Sequence, residues 1–208
     1  MKILYVGLPL VSVLLALVLA AGCRPQTDGG DGSTADTDPK EPSAARGSTI
    51  CLEAEDAEIL SGTLGVGTGQ DAGTTEWPAI DGASGGRYLQ IPQGAGKPPE
   101  NDGRARLQFE VRKAGTYQLW ARVWWLDGCG NSIGFALNGS KSFTFGQDAS
   151  YGKWHWVQAP RRLQQLELEP GIDVLEISAR EDGVAVDQIL LTLNRRYVPV
   201  GVEESANP

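Results

Sequence analysis

The sequence predicts an all-β domain folded as an antiparallel β-sandwich. Between about residues 49 and 195, short runs of alternating apolar and polar residues are separated by turn sequences such as Lys113-Ala114-Gly115 and Glu169-Pro170-Gly171. Leu137-Asn138-Gly139-Ser140 is a strong hairpin signal, because Asn-Gly favours the positive φ angles of a two-residue turn. No window shows a sustained helical stripe. Many short strands at fairly regular spacing are typical of a sandwich.

The predicted strands follow one another along a single domain. They cover residues 50–55, 87–91, 104–112, 116–125, 132–138, 142–145, 154–159, 163–169, 173–180 and 184–193. The Gly-rich stretch 61–86 is the exception, and we expect a long loop that either folds over a sheet edge or serves a site. The domain is large enough to bury a core of its own.

The N-terminal residues predict export. Lys2 precedes an apolar stretch from Ile3 to Leu19, followed by small residues, which is the layout of a secretory signal. Ala20-Ala21-Gly22-Cys23 resembles the lipobox of bacterial lipoproteins, although that pattern more often has Leu at the position of Ala20. We therefore expect residues 1–22 to be a signal peptide and Cys23 to carry lipid. The alternative is an uncleaved anchor, since the stretch approaches the ~20 residues that span a bilayer.

The rest of the chain is then exported and tethered to the cell envelope, with the outer membrane or the cell surface as the expected location. Residues 23–48 contain almost nothing apolar and are predicted to be a disordered linker, and residues 196–208 are predicted to be a C-terminal tail. The net charge is −8, and no basic cluster interleaves with aromatic residues. This composition argues against a nucleic-acid partner.

Acidic residues lie on strand-like runs at both ends of the domain. Glu53 and Glu55 are two residues apart, so on an extended strand their carboxylates point to the same face and repel unless a cation joins them. If the first and last strands are neighbours, Asp187 completes an all-oxygen site suited to calcium. The alternative is that all three are solvated strand residues.

Several short motifs follow one another across nearly the whole domain: Leu52-Glu53-Ala54-Glu55, Gly85-Gly86-Arg87-Tyr88-Leu89, the run from Ala114 to Val123, Asn138-Gly139, Trp154-His155-Trp156, Leu168-Glu169-Pro170-Gly171 and Val186-Asp187-Gln188-Ile189. Their order resembles that of non-catalytic carbohydrate-binding modules of families six and thirty-five. This resemblance implies a galactose-binding-like jelly roll with a structural calcium ion between the first and last strands. That ion would fall on Glu53, Glu55 and Asp187.

Sugar recognition needs an aromatic ring that stacks on the sugar and polar side chains that bind its hydroxyls. By the resemblance, Trp154 is the first choice for stacking, with Trp156 further into the strand. The remaining candidates lie on predicted loops that meet at one end of a sandwich, or within the long loop: Trp77, Trp125, Asp127, Asn131, Arg180 and Asp182. Their competing interpretations are core packing, salt bridges and turn caps.

Alternation in the strand 116–125 assigns two more tryptophans. Tyr117, Leu119, Ala121 and Val123 share the core face, which leaves Trp120, Arg122 and Trp124 on the outer face. We interpret these outer residues as a cation–π stack under a covering loop rather than as a ligand platform.

Cysteine and histidine usage adds little chemistry. With Cys23 assigned to lipid, Cys51 and Cys129 remain as a candidate disulfide, and the sequence leaves open whether they are bridged or free. The single histidine, His155, has no triad or metal-binding spacing around it, and the clear carboxylate pair is better explained by metal. The sequence therefore predicts a non-enzyme.

We expect a membrane-tethered exported lipoprotein whose β-sandwich binds carbohydrate. The alternative is a structural or protein-interaction sandwich in an envelope assembly, with an envelope protein as partner and no sugar site. The two differ in whether Trp154 is exposed at a loop cleft or buried beneath the 61–86 loop.

Overall fold

The computed structural model describes residues 48–70, 73, 77–95 and 103–205. The predicted signal peptide, Cys23 and most of the predicted linker lie outside these residues. Within the described residues the chain forms two antiparallel sheets, one of seven strands and one of five. The prediction of an all-β antiparallel sandwich is confirmed. None of the helical segments described is long and apolar enough to cross a membrane.

Twelve strands and three single-turn 3-10 helices make up the described fold. The 3-10 helices cover Ala54–Asp56, Ser84–Gly86 and Arg161–Leu163. The strands are β1 (Thr49–Glu53), β2 (Glu58–Ser61), β3 (Gly65–Thr68), β4 (Arg87–Ile91), β5 (Arg104–Val111), β6 (Gly115–Trp125), β7 (Ser132–Leu137), β8 (Phe143–Gly146), β9 (His155–Gln158), β10 (Leu166–Leu168), β11 (Gly171–Ser178) and β12 (Val184–Thr192).

The larger sheet is built around β12. One edge of β12 pairs with β6 along its length, and the other edge pairs first with β4 and then with β1. The first and last strands are therefore neighbours, with Glu53 opposite Gln188. Beyond β6 lie β9 and β10, and beyond β4 lies β3.

The smaller sheet has the order β2-β5-β11-β7-β8. Its hairpin between β7 and β8 turns at Asn138 and Gly139, which both have positive φ (49° and 68°), as the Asn-Gly signal predicts. One continuous apolar core fills the space between the sheets, and Trp125, Tyr117, Phe135 and Phe145 are its largest members. Because this core belongs entirely to residues 52–191, the domain carries its own stabilising interior.

Two short strands are not among the predicted ones: β2 lies between the first predicted strand and the predicted 61–86 loop, and β3 lies within that loop. β2 and β3 are short, and each lies at the edge of its sheet. Their sequences, Glu-Ile-Leu-Ser and Gly-Val-Gly-Thr, contain too few apolar residues to show a period of two. The first predicted strand also ends two residues early, because Ala54–Asp56 forms a 3-10 turn.

A β-bulge in β12 changes which side chains face the core. Val184 and Val186 point inward, and so do Ile189 and Leu191, so the alternation shifts by one residue between them. The register of the β6 pairing shifts at the same place, between Val186 and Gln188. One extra residue is accommodated there, so Asp187 and Gln188 both lie on the outer face.

Two segments cover the outer face of the larger sheet. The first is the covering loop, residues 77–86, whose Trp77 and Ile80 pack with Tyr88, Trp124 and Ala185. The second is the C-terminal segment, residues 194–205. The predicted position of Trp124 and Arg122 on an outer face under a loop agrees with this arrangement.

The C-terminal segment is part of the fold rather than a tail. Trp156 Nε1 donates to Gly201 O (2.9 Å), Gln188 Nε2 donates to Glu203 O (2.8 Å), and Glu203 N donates to Gln188 Oε1 (2.9 Å). Ser205 Oγ donates to Cys51 O (3.4 Å). The prediction of a tail from residue 196 is therefore wrong for residues 196–205, because their backbone groups bind side chains of the sheet.

Cys51 and Cys129 are both free thiols, so the candidate disulfide is not formed. Cys51 pairs with Leu190, whereas Trp125, which precedes the Cys129 loop, pairs with Val184. Six residues along a strand span about 20 Å, far beyond the ~7 Å limit between the Cα atoms of a disulfide. Cys51 is buried, and Cys129 is exposed.

This arrangement predicts very different thiol reactivities. In the folded protein, iodoacetamide should alkylate Cys129 within minutes and Cys51 only after unfolding, because Cys51 is 3% exposed and burial raises its pKa to about 12. Mass spectrometry of peptides from the native and the urea-unfolded protein measures both. A non-reduced peptide pair joined through Cys51 and Cys129 would contradict the structure.

Candidate functional site

A carboxylate cluster of Glu53, Glu55 and Asp187 lies where β1 ends beside the β12 bulge. Each residue offers an oxygen atom, and these atoms lie within 4.8 Å of one another. Glu55 is 8% exposed and Asp187 is fully buried. The three residues that the sequence analysis singles out thus meet at one point.

The route by which they meet differs from the one expected. Glu55 lies in the 3-10 turn and not on β1, so its carboxylate does not share a strand face with Glu53. The turn folds the chain back against β4 and β12 instead. Asp187 lies at the same point, on the outer face of β12 at the bulge.

Hydrogen bonds satisfy only part of the carboxylate cluster. Glu53 Oε1 accepts from Ser84 Oγ (3.0 Å) and from Gln188 Nε2 (3.0 Å), and Asp187 Oδ1 accepts from Ser84 N (2.8 Å). In contrast, Glu53 Oε2 and Glu55 Oε2 are buried atoms with no hydrogen-bond partner. Leaving a buried carboxylate oxygen unpartnered costs free energy, so such atoms indicate a missing partner.

Arg122 is the cation that faces the cluster. Its Nη1 donates to Asp187 Oδ2 in a buried ion pair and to Gly82 O (3.1 Å) in the covering loop. Its guanidinium lies 5.3 Å from the ring centroid of Trp154, within cation–π range. The expected cation–π contact therefore forms, although its aromatic partner is Trp154 and not Trp120 or Trp124.

Burial dominates the electrostatics of the cluster. Desolvation, with smaller contributions from Glu53, Asp187 and Asp56, raises the pKa of Glu55 to about 7. Desolvation also raises the pKa of Asp187, although Arg122 partly offsets it. One guanidinium does not neutralise three carboxylates, so the cluster is short of positive charge.

The donor set fits a hard divalent cation. All three candidate ligands are carboxylates, and calcium binds oxygen ligands at 2.3–2.6 Å, so ligands on one ion lie up to about 5 Å apart. The separation within the cluster and the two unpartnered oxygens meet that requirement. Glu53, Glu55 and Asp187 are the residues that would hold the ion.

The predicted stacking tryptophans are packed into the protein. Trp77 is buried, its Nε1 donates to Gln90 Oε1 (2.8 Å), and its ring meets Trp124 edge-on at 5.3 Å. Trp154 is half-buried, and its Nε1 donates to Asp81 O (2.8 Å) in the covering loop. Their packing fixes the covering loop to the sheet.

Trp125 and Trp156 are also used structurally. Trp125 is fully buried, and its Nε1 donates to Asp148 Oδ2 (3.2 Å). Trp156 is half-buried beneath the C-terminal segment, which accepts its Nε1 hydrogen. Sugar stacking on Trp77 or Trp125 is therefore wrong, since neither ring offers a free face.

The predicted polar residues do gather at one end of the sandwich. We call this region the loop end, residues 92–95, 126–131, 147–154 and 179–183. Gly94 N donates to Asp182 Oδ2 (2.8 Å), and Asn131 N donates to Glu181 Oε2 (3.1 Å). A side chain at Gly130 would lie 2.4 Å from Asp182 O, so only glycine lets these two loops approach so closely.

Asp127 and Arg180 make hydrogen bonds within the protein at the loop end. Asp127 Oδ1 accepts from the backbone nitrogens of Cys129 (2.8 Å) and Gly130 (3.1 Å), so it caps its own turn. Arg180 binds Glu181 Oε1 and Ser132 Oγ. Turn capping and an ion pair, the competing interpretations, therefore describe Asp127 and Arg180 in this structure.

Sequence reasoning missed three residues at the loop end. Asp148 accepts from Trp125 and faces His155 Nε2 (3.1 Å); these contacts and the Ser150 backbone N–H lower its pKa against the opposing effect of burial. Glu181 joins Asn131, Ser132 and Arg180. Tyr151 is 41% exposed, the one aromatic among the exposed large apolar residues described. An aromatic residue within Ser-Tyr-Gly-Lys was its available signal.

Solved structures share this fold. A β-(1,4)-mannanase of Podospora anserina, described as GH26-CBM35, is 19% identical with a TM-score of 0.53, and the match covers 74% of this chain and 29% of that chain. A family 35 carbohydrate-binding module from Clostridium thermocellum is 19% identical with a TM-score of 0.48, and the match covers 69% of this chain and 97% of that module.

A further module, CBM35 from Paenibacillus barcinonensis, is 16% identical with a TM-score of 0.48, and the match covers 70% of this chain and 99% of that chain. No protein-family model matches the sequence, and no curated protein matches it. The likeness to the mannanase, at 19% identity, shows the fold alone. The present chain spans less than a third of the mannanase.

The buried carboxyl of Glu55 predicts a specific pH dependence of stability when divalent cations are removed by chelator. The unfolded chain ionises Glu55 near pH 4.5 and the folded chain near 7, so the free energy of unfolding should fall as pH rises between these values. Asp187 acts in the same direction. A pKa difference of this size corresponds to about 3 kcal/mol, at ~1.4 kcal/mol per pKa unit. Relaxation of the protein around the buried charge reduces it, so Glu55→Gln should remove about 2 kcal/mol of that fall.

Urea denaturation at pH 5 and pH 8 measures this difference. Glu169→Gln, at an exposed carboxylate in the turn before β11, is the matched control and should keep the wild-type pH dependence. Equal pH dependence in Glu55→Gln and the wild type would contradict the burial of an ionisable Glu55.

Proposed function

We propose that this protein is an exported bacterial lipoprotein whose β-sandwich binds carbohydrate without catalysis and holds a structural calcium ion. The observation that carries the carbohydrate proposal is the loop end, where an exposed tyrosine lies beside converging polar side chains on a carbohydrate-binding-module-like fold. Loops held by a rigid sandwich are a common position for binding sites.

Tyr151 takes the stacking role that the sequence analysis gave to Trp154. Its hydroxyl lies next to Gly128, so its ring stands at the loop end beside the 126–131 loop. The backbone N–H of Gly152 donates to Trp125 O (2.9 Å), which anchors the turn that presents the ring. An exposed ring fixed at its base is suited to the C–H face of a sugar.

Polar groups around Tyr151 supply the hydrogen bonds. Asp127 uses one carboxylate oxygen for two backbone N–H groups, and Asp182 uses one for a single backbone N–H; each keeps its other oxygen for a ligand. Asn131 is held by Glu181 through its backbone and by Asp148 O through its Nδ2 (3.3 Å). Arg180 offers its remaining guanidinium hydrogens. Paired acceptors and donors of this kind bind vicinal hydroxyls.

The contacts of the histidine support a binding rather than a catalytic role. Both ring nitrogens of His155 are engaged, Nδ1 with Lys153 O (3.0 Å) and Nε2 with Asp148. Trp125 packs edge-on against its ring at 6.2 Å. A general base needs a free nitrogen within reach of a substrate proton, so His155 serves to brace the loop end.

Calcium would be held by Glu53, Glu55 and Asp187. Bound there, it supplies the positive charge that Arg122 alone does not, and it gives the unpartnered oxygens of Glu53 and Glu55 a ligand. Because Glu53 and Asp187 both bind Ser84, the ion would also stiffen the attachment of the covering loop.

Export and lipidation rest on the N-terminal sequence. An apolar stretch followed by Ala20-Ala21-Gly22-Cys23 directs acylation to Cys23, and the following residues connect the lipid to the domain. The protein would then present its sandwich at the outer membrane or cell surface.

One observation favours a second function, a structural or protein-interaction sandwich in an envelope assembly. The tryptophans expected to stack on sugar are instead packed under the covering loop and the C-terminal segment. A domain that kept this fold and uses its surface for an envelope protein would show the same burial.

A glycan array separates the two functions. The compact unit Glu41–Pro208, in calcium buffer, should bind a restricted set of glycans. Tyr151→Ala should weaken binding about fivefold, since a stacked ring contributes of order 1 kcal/mol. Ile172→Ala, which removes an exposed apolar side chain at the opposite end of the domain, should leave binding unchanged. Binding that survives Tyr151→Ala would remove the site from the loop end, and silence across the array would favour the second function.

Calcium binding should raise stability by mass action. At a calcium concentration 100 times its Kd, the wild type should gain about 2.7 kcal/mol. Glu55→Gln and Glu53→Gln should lose most of that gain, whereas Glu204→Gln, at an exposed acidic residue outside the cluster, should keep it. Differential scanning calorimetry in calcium and in chelator measures the shift. An unchanged transition in the wild type would rule out the calcium proposal.

A further inference from the structure

The C-terminal segment presents an apolar ridge that nothing in the described fold covers. Val198, Val200 and Val202 are 64%, 79% and 51% exposed, and they are three of the eight large apolar residues described as exposed. They alternate along the chain with Pro199, which is buried, and Gly201, whose carbonyl binds Trp156. The alternation turns all three valines away from the sheet.

The valine ridge is held rigidly in place. Tyr197 Oη donates to Glu203 Oε2 (2.6 Å), and Val200 N donates to Glu203 Oε1 (3.1 Å), so Glu203 closes the segment into a loop. The side-chain amide of Gln188 then binds the backbone of Glu203, donating from Nε2 to Glu203 O and accepting at Oε1 from Glu203 N. The exposure of the valines is therefore imposed by this network.

Basic residues lie at the start of the ridge in a protein whose net charge is −8. Arg195 and Arg196 are exposed, and neither side chain has a partner among the described residues. The turn before β6 lies beside this segment, since Gly115 abuts the side chain of Leu193. Lys113 of that turn is exposed. We call Lys113, Arg195 and Arg196 the basic corner. Glu204 is the exposed acidic residue of the segment.

The N-terminal chain enters the fold at the same corner. Leu193 N donates to Ser48 O (2.8 Å), so the residue where the described domain begins lies beside the start of the C-terminal segment. Cys23 precedes Ser48 by 25 residues, and a chain of that length reaches at most about 90 Å. A lipid on Cys23 thus keeps the domain within that distance of the bilayer, and this corner is where the tether enters the fold.

We propose that the valine ridge and the basic corner form a face that rests on an anionic lipid membrane. This inference depends on the proposed anchoring at Cys23, which keeps the face near the bilayer. Cations near an anionic surface strengthen binding about fivefold each, and small apolar side chains enter the headgroup region. The loop end lies at the far end of β6 and β12 from the basic corner, so the proposed glycan site is separate from that corner.

The test imposes the anchor chemically. Residues 23–208 carrying Cys129→Ser have Cys23 as the accessible thiol, since Cys51 is buried, and are coupled to a maleimide lipid in vesicles. Hydrogen exchange of residues 194–205 is then compared between phosphatidylcholine vesicles and vesicles containing phosphatidylglycerol. We expect several-fold slower exchange of residues 197–202 on the anionic vesicles and no change at the loop end.

The double variant Arg195→Gln/Arg196→Gln should abolish that slowing. Arg87→Gln/Arg104→Gln removes two exposed arginines elsewhere, and it should keep the slowing. Equal exchange on both vesicles, or slowing that survives the Arg195/Arg196 change, would overturn the proposal. Slowing that appears with rising protein concentration and without vesicles would assign the face to a second copy and also overturn it.

Because the tether is chemical, this outcome is independent of whether cells acylate Cys23. Metabolic labelling with a palmitate analogue, comparing the wild type with Cys23→Ser, decides that question separately. If the palmitate analogue does not label the wild type, while the chemically tethered protein still exchanges more slowly on anionic vesicles, the lipoprotein proposal is refuted. The proposal of a membrane-facing surface then stands.

Discussion

The attachment of the covering loop and the C-terminal segment to the larger sheet depends on the buried ion pair between Asp187 and Arg122 at the bulge of β12. Asp187 lies on β12, the central strand of the larger sheet, and Arg122 lies on the adjacent β6. Residues beside this ion pair bind both segments that cover the sheet. Ser84 ties the covering loop to Asp187 and Glu53, and Gln188 ties Glu53 to the C-terminal segment through Glu203. The two coverings are therefore joined through this polar cluster, and Trp77 and Ile80 add a separate apolar attachment for the covering loop.

Such a cluster is costly without a cation. Removing three carboxylates from water requires compensating charge and hydrogen bonds, and here one guanidinium and a few donors face them while two oxygens have no partner. A divalent ion would change the balance, because it replaces repulsion among Glu53, Glu55 and Asp187 with shared coordination. Tryptophans that resemble a sugar platform then have a structural role: Trp154 stacks on Arg122, and Trp77 and Trp156 hold the two coverings in place.

Strand periodicity predicts the interior of this protein well and its outer face poorly. The core residues of β6 and the neighbouring positions of β1 and β12 follow from alternation and from the termini of a sandwich lying together. Trp77 in its long loop and Trp154 near the start of a strand look available for binding, because no local signal tells a solvent-exposed face from one covered by a distant segment. The proximity of Glu55 to Glu53 was inferred from a strand that ends too soon, and a 3-10 turn produces it instead. In the sequence, the spacing between apolar residues changes from two to three between Val186 and Ile189, and this change indicates the bulge. The loop-end contacts of Asp148 and Glu181 depend on loops that only the folded chain brings together.

Hydrogen exchange with and without calcium tests the central claim most directly. The amide of Ser84 is bound by Asp187 and the amide of Glu203 by Gln188, and they belong to segments 119 residues apart in sequence. If one cation organises the cluster that holds both, calcium should slow the exchange of these two amides together, while amides of the smaller sheet change little. Protection of one amide without the other, or identical exchange in calcium and in chelator, would contradict the claim that a single metal-bound cluster fastens both coverings to the sheet.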